Sequence, residues 1–249
     1  MFDFSDQVAV VTGGGSGIGA ATCRILADLG AHVWVTDVRD AAAKTVAEEI
    51  TAAGGHATAA TLDVTDPAQC NEVIDGVVAD AGKVDALITV AGWSETHPFL
   101  GEDDTYWRKV VDINFFGTVY PCHAALRHMT EAGYGRIVTV SSDAGRVGTF
   151  GETVYAGAKA GVIGFTKSIA REVGRRGIVA NNVSPGVTDT PLMRHQDQSV
   201  IDKMVRLVTL KRLGQPEEVA APIVFLASRE AGFITGQVIS ASGGLTMVG

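Results

Sequence analysis

The sequence predicts an α/β fold: one doubly wound parallel sheet of seven strands, with helices on both faces. Three observations predict it. Short apolar runs alternate with helix-length stretches from one end of the chain to the other. The runs are apolar almost without interruption, as strands covered on both faces must be. No Pro/Ser-rich linker, internal repeat or shift in composition divides the 249 residues, so 1–249 reads as a single domain.

Strands are expected at Val8 to Val11, His32 to Thr36, Ala57 to Leu62, Ala86 to Val90, Ile137 to Val140, Ile178 to Val183 and Val238 to Ser240. Between them, helices are expected at Ile18 to Leu29, Ala41 to Ala53, Pro67 to Ala81, Asp104 to Ala132, Val154 to Gly174 and Pro216 to Ala227. Capping residues mark several boundaries. Asp66 before Pro67 joins an N-cap acid to a proline at the first helical position, and Gly30, Gly54 and Gly82 follow the first three helices.

Composition narrows the possible functions. Apolar residues make up 46% of the chain, enough for a sizeable core, and the net charge of −8 argues against a nucleic-acid partner. No apolar run approaches the ~20 residues of a membrane span. Met1 to Asp6 is acidic and lacks the basic-then-apolar pattern of a secretion signal, so a cytoplasmic location is expected. Cys23, Cys70 and Cys122 are odd in number and far apart, and read as reduced, packed thiols. The six histidines show no ligand spacing, and no metal is expected.

The first strand runs into Thr12-Gly13-Gly14-Gly15-Ser16-Gly17-Ile18-Gly19, and a helix follows at once. Glycines at such a turn let the backbone approach a pyrophosphate, whose charge the helix N-terminus meets. The second strand ends at Asp37, followed by Val38. A carboxylate there can accept hydrogen bonds from an adenosine ribose diol and repel a 2′-phosphate. Ser16 brings no cation to reverse that preference, although Arg39 lies two residues past the acid, so NAD is expected rather than NADP. Asp63 and Val64, at the end of the third strand, are expected beside the adenine.

A second constellation carries chemistry. Tyr155 and Lys159 are four apart and share a helix face, and Ser142 stands thirteen residues before the tyrosine. A phenol with a pKa of about 10 is a poor base at neutral pH. A fixed ammonium beside it would stabilise the phenolate, and a drop of ~3 units corresponds to about 4 kcal/mol. The expected product is a proton donor and acceptor poised near working pH.

With these pieces in order, the chain resembles the short-chain dehydrogenase/reductase family over essentially its whole length. The residues that carry the resemblance are Thr12, Gly13, Gly17 and Gly19 of the loop, Asp63, Ala91-Gly92, Asn114, Ser142, Tyr155, Lys159 and Asn181-x-Val183-x-Pro185-Gly186. The resemblance implies a Rossmann-like sheet, a nicotinamide cofactor and hydride exchange between a secondary alcohol and a ketone. By position it makes Tyr155 the general acid/base, Lys159 the ligand of the nicotinamide ribose, Ser142 the partner of the substrate oxygen and Asn114 the support of a proton-relay water. Pro185-Gly186 would wall the nicotinamide, with the Thr188 backbone and Thr190 hydroxyl addressing the carboxamide and phosphates. Family members are commonly homotetramers. Two departures stand out. Val90 replaces a customary asparagine, so the sheet must be tied differently there, and Ala241-Ser242 replaces Val-Asp before Gly243-Gly244.

The substrate is less legible. Val187 to Lys211 reads as a mobile lid with an apolar set that includes Leu192 and Met193. Trp93, Ala144, Val147 and Gly186 are expected in the pocket beside Ser142. Ala91-Gly92-Trp93, Ser142-Asp143-Ala144 and the tail from Phe233 are similar to family members that act on ring-hydroxylated acyl thioesters, and the carrier-protein ketoreductases are a more diffuse likeness. Lys203, Arg206, Lys211 and Arg212 could meet a CoA phosphate, or form a solvated face. A small cyclic or aryl alcohol remains an alternative substrate, and a nucleotide-binding sensor or scaffold without turnover an alternative class.

Overall fold

The computed structural model describes residues 2–194 and 197–248. Seven strands form one wholly parallel sheet in the order β3-β2-β1-β4-β5-β6-β7. They are β1 Val8–Thr12, β2 His32–Asp37, β3 His56–Thr61, β4 Ala86–Thr89, β5 Gly135–Val140, β6 Ile178–Pro185 and β7 Val238–Ala241. Chain order reverses between β1 and β4, and a crevice opens at such a switch point beyond the strands' C-terminal ends.

Alternation along the strands divides the core in two, because successive side chains point to opposite faces. Ala9 and Val11 of β1 face one layer with α1 (Gly17–Asp28), α2 (Asp40–Ala52) and α10 (Pro216–Ala227), through Leu26, Val46, Ile50 and Ile223. Val8 and Val10 face the other, with α3 (Pro67–Ala81), α5 (Gly117–Ala132) and α7 (Thr153–Val173), through Ile74, Met129 and Ile169. Both layers are fully buried at their centres, while the edge strands β3 and β7 are only partly covered along their length.

The capping at α3 is as the sequence predicts. The Asp66 carboxylate accepts from the backbone N–H of Ala68 and Gln69 at 2.8 and 3.2 Å, and Gly82 closes the helix at φ 78°. The long helix expected over Asp104 to Ala132 is divided. It comprises α4 (Asp104–Val111), a π-helical turn at Asp112–Phe116 and then α5. Pro121 has no N–H to donate inside α5. The wide turn places Asn114 where a regular 3.6-residue helix would not, a common use of such turns at functional sites. Three short helices that the sequence pattern does not announce complete the chain: α6 (Ala144–Val147), α8 (Pro191–Arg194) and α9 (Gln198–Leu207). The expected lid over 187–211 contains α8 and α9; His195 and Gln196 within it lie outside the described residues.

Candidate active site

The crevice is a cleft of about 1550 Å³ beyond the ends of β1, β4, β5 and β6. At its floor the chain leaves β1 through Gly13, whose φ of +66° a side chain would oppose. A Cβ there would also lie 2.9 Å from the Ala91 backbone, so the turn and the end of β4 touch directly. A Cβ on Gly19 would fall on the Gly13 carbonyl. Ser16, the N-cap of α1, makes no side-chain capping bond. The first N–H groups of α1 therefore stay available at the cleft, and Gly13, Ser16, Gly17, Ile18 and Gly19 line it. A close-packed glycine turn ending in an uncapped helix is a cradle into which a pyrophosphate fits.

Asp37 is 6% exposed and lines the same end with Val38. Its carboxylate accepts from the Gly15 N–H at 3.1 Å, the Arg39 N–H at 3.0 Å and Arg39 Nε at 3.2 Å. Gly15 itself does not line the cleft. It differs in this from the expected ligand set because its N–H is spent on aiming Asp37. The Arg39 guanidinium also donates to Ser16 Oγ at 3.0 Å. Asp63, at the next strand end, is held in a local turn by Thr65, whose N–H and Oγ donate to it at 2.9 and 2.7 Å. Asp63, Val64, Ala91 and Gly92 continue the lining. Thr12 supplies the tie that Val90 cannot. Its hydroxyl accepts from the N–H groups of Val90 and Ala91 at 3.2 and 3.3 Å.

Ser142, Tyr155 and Lys159 meet at the centre of the cleft. Ser142 lies just past β5, with its Oγ accepting from the Ala144 N–H at 3.2 Å. One turn of α7 separates Tyr155 from Lys159, whose Nζ stands 5.8 Å from the centre of the phenol ring. Lys159 is 2% exposed and donates to the Val140 carbonyl at 3.1 Å. Burial lowers its pKa from 10.5 to about 8. The phenol runs against the expectation of a lowered pKa. Burial, and then the charge of Glu152, hold it above the usual tyrosine value, while a hydrogen bond with Ser142 opposes them. Desolvation penalises the phenolate more than the lysine, committed to a carbonyl, relieves it.

Asn114 is fully buried and does not line the cleft; it works from behind Gly92. Its Nδ2 donates to the carbonyls of Trp93 and Val110 at 2.6 and 2.9 Å, and its Oδ1 accepts from the Trp93 N–H at 3.1 Å. A Cβ on Gly92 would lie 3.0 Å from Asn114 Oδ1 and 3.3 Å from Lys159 Nζ. The asparagine and the ammonium therefore share one glycine-sized gap.

Two residues that the sequence reading does not single out complete the site. Asp143, 2% exposed, accepts from Ser184 Oγ at 2.7 Å and from Ser240 Oγ at 3.0 Å, and its N–H donates to the Pro185 carbonyl at 2.9 Å. It clamps the Ser142 turn to β6, β7 and the Pro185-Gly186 wall. Ser242, one of the two departures at the C-terminus, packs on Gly186 and accepts from Ser240 Oγ at 2.9 Å. That departure thus belongs to the wall of the cleft. Glu152, the second residue, lines the cleft one turn before Tyr155. The only signal for either is an acid beside a motif serine or tyrosine.

Pro185, Gly186, Thr188 and Thr190 line the wall, and the Thr190 methyl would lie 3.2 Å from a Cβ on Gly17, so the lid segment meets the glycine turn. Trp93, Ala144, Val147, Leu192 and Met193 also line the cleft. Val147 and Leu192 are 57% and 42% exposed, at its rim. Most of the expected basic cluster does not face the cleft. Arg212 is engaged by Glu218 through two bonds of 2.6 Å, Lys211 donates to the Arg206 carbonyl at 2.6 Å, and of the four only Lys203 lines the cleft.

Comparisons with known proteins place the whole chain among relatives. A protein-family model described as enoyl-(acyl carrier protein) reductase matches residues 13–246. The cis-4-hydroxycyclohexanecarboxylate dehydrogenase of Sinomonas cyclohexanicum is 42% identical over 246 residues, 98% of either chain. The (3R)-3-hydroxyacyl-CoA dehydrogenase of Canis lupus familiaris is 38% identical over 96% of either chain. The 3-oxoacyl-[acyl-carrier-protein] reductase of Escherichia coli (strain K12) is 36% identical over 99% of this chain and all of its own. With a single seven-stranded parallel sheet and relatives aligned from end to end, the chain belongs to the short-chain dehydrogenase/reductase family, oxidoreductases of secondary alcohols and ketones.

Proposed function

We propose that this chain is an NAD(H)-dependent dehydrogenase/ketoreductase acting on a cyclic secondary alcohol or its ketone, carried free or as an acyl thioester. The observation behind this is the convergence of Ser142, Tyr155 and Lys159 in one cleft with a glycine cradle. The cofactor would be held by the α1 N-terminus and Gly13 to Gly19, by Asp37 at the ribose, by Asp63 and Val64 at the adenine, and by Lys159, Pro185-Gly186, Thr188 and Thr190 at the nicotinamide end. When bound, it supplies or accepts the hydride.

The chain's own residues manage the proton and the oxygen. In reduction the phenol of Tyr155, protonated at neutral pH, donates to the carbonyl oxygen while the Ser142 hydroxyl donates a second hydrogen bond. Both donors are fixed before the reaction, so they stabilise developing charge without reorganising. In oxidation Tyr155 must first lose its proton, and the Lys159 ammonium, with Asn114 behind it, stabilises the resulting phenolate.

The Asp37 carboxylate, which lines the cleft at the end of β2, supports NAD over NADP, and the Arg39 guanidinium bonded to it offsets part of that charge. The names of the relatives support two substrate classes, a cyclic hydroxy acid and acyl thioesters. A small cyclic or aryl alcohol is the second reading, favoured by the apolar rim at Val147 and Leu192 and by the engagement of Arg212 with Glu218. Initial rates with NAD and NADP, pairing CoA thioesters of cyclic hydroxy acids with the free cyclic and aryl alcohols, test these readings. A thioester preference of about a hundredfold, or ~2.7 kcal/mol, supports the first, and indifference the second. We further propose a cytoplasmic homotetramer. Its support is the family pattern alone, and light scattering on the purified protein would check the assembly. Among the described residues no helix is long and apolar enough to cross a membrane.

A further inference from the structure

The cleft contains one acid that the proton chemistry does not require. Glu152 stands at the N-cap of α7 with φ −133° and ψ 39°. Short acceptor side chains (Ser, Thr, Asp, Asn) at this position ordinarily turn back on the first N–H groups of the helix. Glu152 makes no such bond. It turns into the cleft instead, where its Oε1 accepts from Ser94 Oγ at 3.1 Å. Ser94 is itself 9% exposed. The loops that carry the pair are stitched together, the His97 N–H donating to the Gly151 carbonyl at 2.9 Å and the Thr96 methyl packing on Gly151. The carboxyl group is therefore fixed.

Its surroundings leave it under-used. Burial raises its pKa, only the Ser94 bond opposes this, and among the described residues no cation's charge acts on it. The cleft's nearer cations are engaged: Lys109 lies 3.6 Å over the Trp93 ring, and Arg108 bonds Asp104 at 2.7 Å. A carboxylate offers about four acceptor positions, and one protein donor fills one of them. A donor on the substrate would complete the shell, whereas a second anion would meet like charge in a poorly solvated space. About one helical turn, ~5 Å, separates Glu152 from Tyr155. That is close to the span of a six-membered ring.

We infer that Glu152, braced by Ser94, is a specificity-determining residue: it accepts a hydrogen bond from a hydroxyl across the ring from the reacting carbon and turns away a carboxylate at the same place. The inference rests on the ketoreductase reading above and, of the substrate classes supported there, sets aside the free cyclic hydroxy acid. Steady-state reduction of 4-hydroxycyclohexanone and of 4-oxocyclohexanecarboxylate by NADH, with NADPH as a parallel arm, tests it. The variants are E152Q, E152A and S94A, each checked for an unchanged thermal melt. Taking the ratio of kcat/KM for the two ketones within each protein cancels any effect of Glu152 on Tyr155.

The wild type should favour the hydroxyketone by about tenfold to a hundredfold, the range for a hydrogen bond to a charged group. E152Q keeps an acceptor oxygen and loses the charge, so it should improve kcat/KM for the acid by about tenfold while holding KM for the hydroxyketone. E152A should abolish the preference through KM, and S94A should weaken it. A wild-type preference for the acid, or a ratio unchanged in E152A, would overturn the inference and leave the ketoreductase reading standing. Turnover of neither ketone with either cofactor would overturn the cyclic-ketone reading and this inference together.

Discussion

At the floor of the cleft, beneath β1, β2 and β4, position is set by backbone. The Gly13 turn lies against Ala91, Gly19 lies against the Gly13 carbonyl, and the Gly15 N–H aims Asp37. At the outer end, between α8, α9 and the loop after β4, position is set by side chains on short or exposed segments, such as Leu192 at 42% exposure and Leu207 at 71%. A part built from backbone contacts tolerates almost no change of residue type. A part built from apolar side chains can be reshaped without disturbing the fold. On the proposed reading, the first region would hold the cofactor and the second would set which alcohol enters.

The comparison breaks most visibly at Gly19. Gly19→Ala puts a Cβ onto the Gly13 carbonyl, so the turn must open. NADH affinity should fall about a hundredfold or more, the cost of one misplaced anion site at a few kcal/mol, and the thermal melt should fall with it because backbone must move. Fluorescence titration reads this, and wild-type affinity would show the floor to be softer than its contacts imply. Asp37→Ser should shift the NADH-to-NADPH ratio of kcat/KM toward NADPH by about tenfold. An unchanged ratio would remove Asp37 from cofactor choice.

A pH series sharpens the comparison further. Burial lowers the Lys159 pKa from 10.5 to about 8. Its positive charge is therefore fully present below that pH and lost as pH rises through it. NADH affinity should weaken by about threefold to tenfold between pH 7 and 9, and Lys159→Met should flatten the dependence. A slope that survives in Lys159→Met would assign it to another group. The smallest effect is expected at the rim. Leu192→Ala should leave NADH affinity within about twofold while changing KM for the ketone by a few-fold, the scale of a partly buried leucine. An equal loss in both would merge the two regions into one.

Much of this division can be read from the chain itself. All seven strands and the Asp66-to-Gly82 limits of α3 are local in cause, set by apolar runs and capping residues, and the structure has them where the sequence puts them. The glycine turn, Asp37, Ser142, Tyr155 and Lys159 are legible from their position after strands and their spacing along the chain. The π-helical turn at Asp112–Phe116 is not, because the apolar pattern runs through it without a break. Neither are α8 and α9, whose exposed apolar side chains follow the cleft rather than a core. Asp143 and Glu152 read as surface acids until burial and their serine partners are seen. The direction of the Tyr155 pKa was hidden likewise, since spacing shows the lysine but not the desolvation that outweighs it.

Tyr155→Phe tests the central claim most directly, because it removes one oxygen and leaves the ring that packs beneath Lys159. Ketone reduction followed at 340 nm should fall by about a hundredfold or more, the contribution of a general acid, while NADH affinity stays within about threefold of wild type. A variant that binds NADH normally and keeps more than about a tenth of the wild-type rate would contradict the account, since the proton would then come from elsewhere.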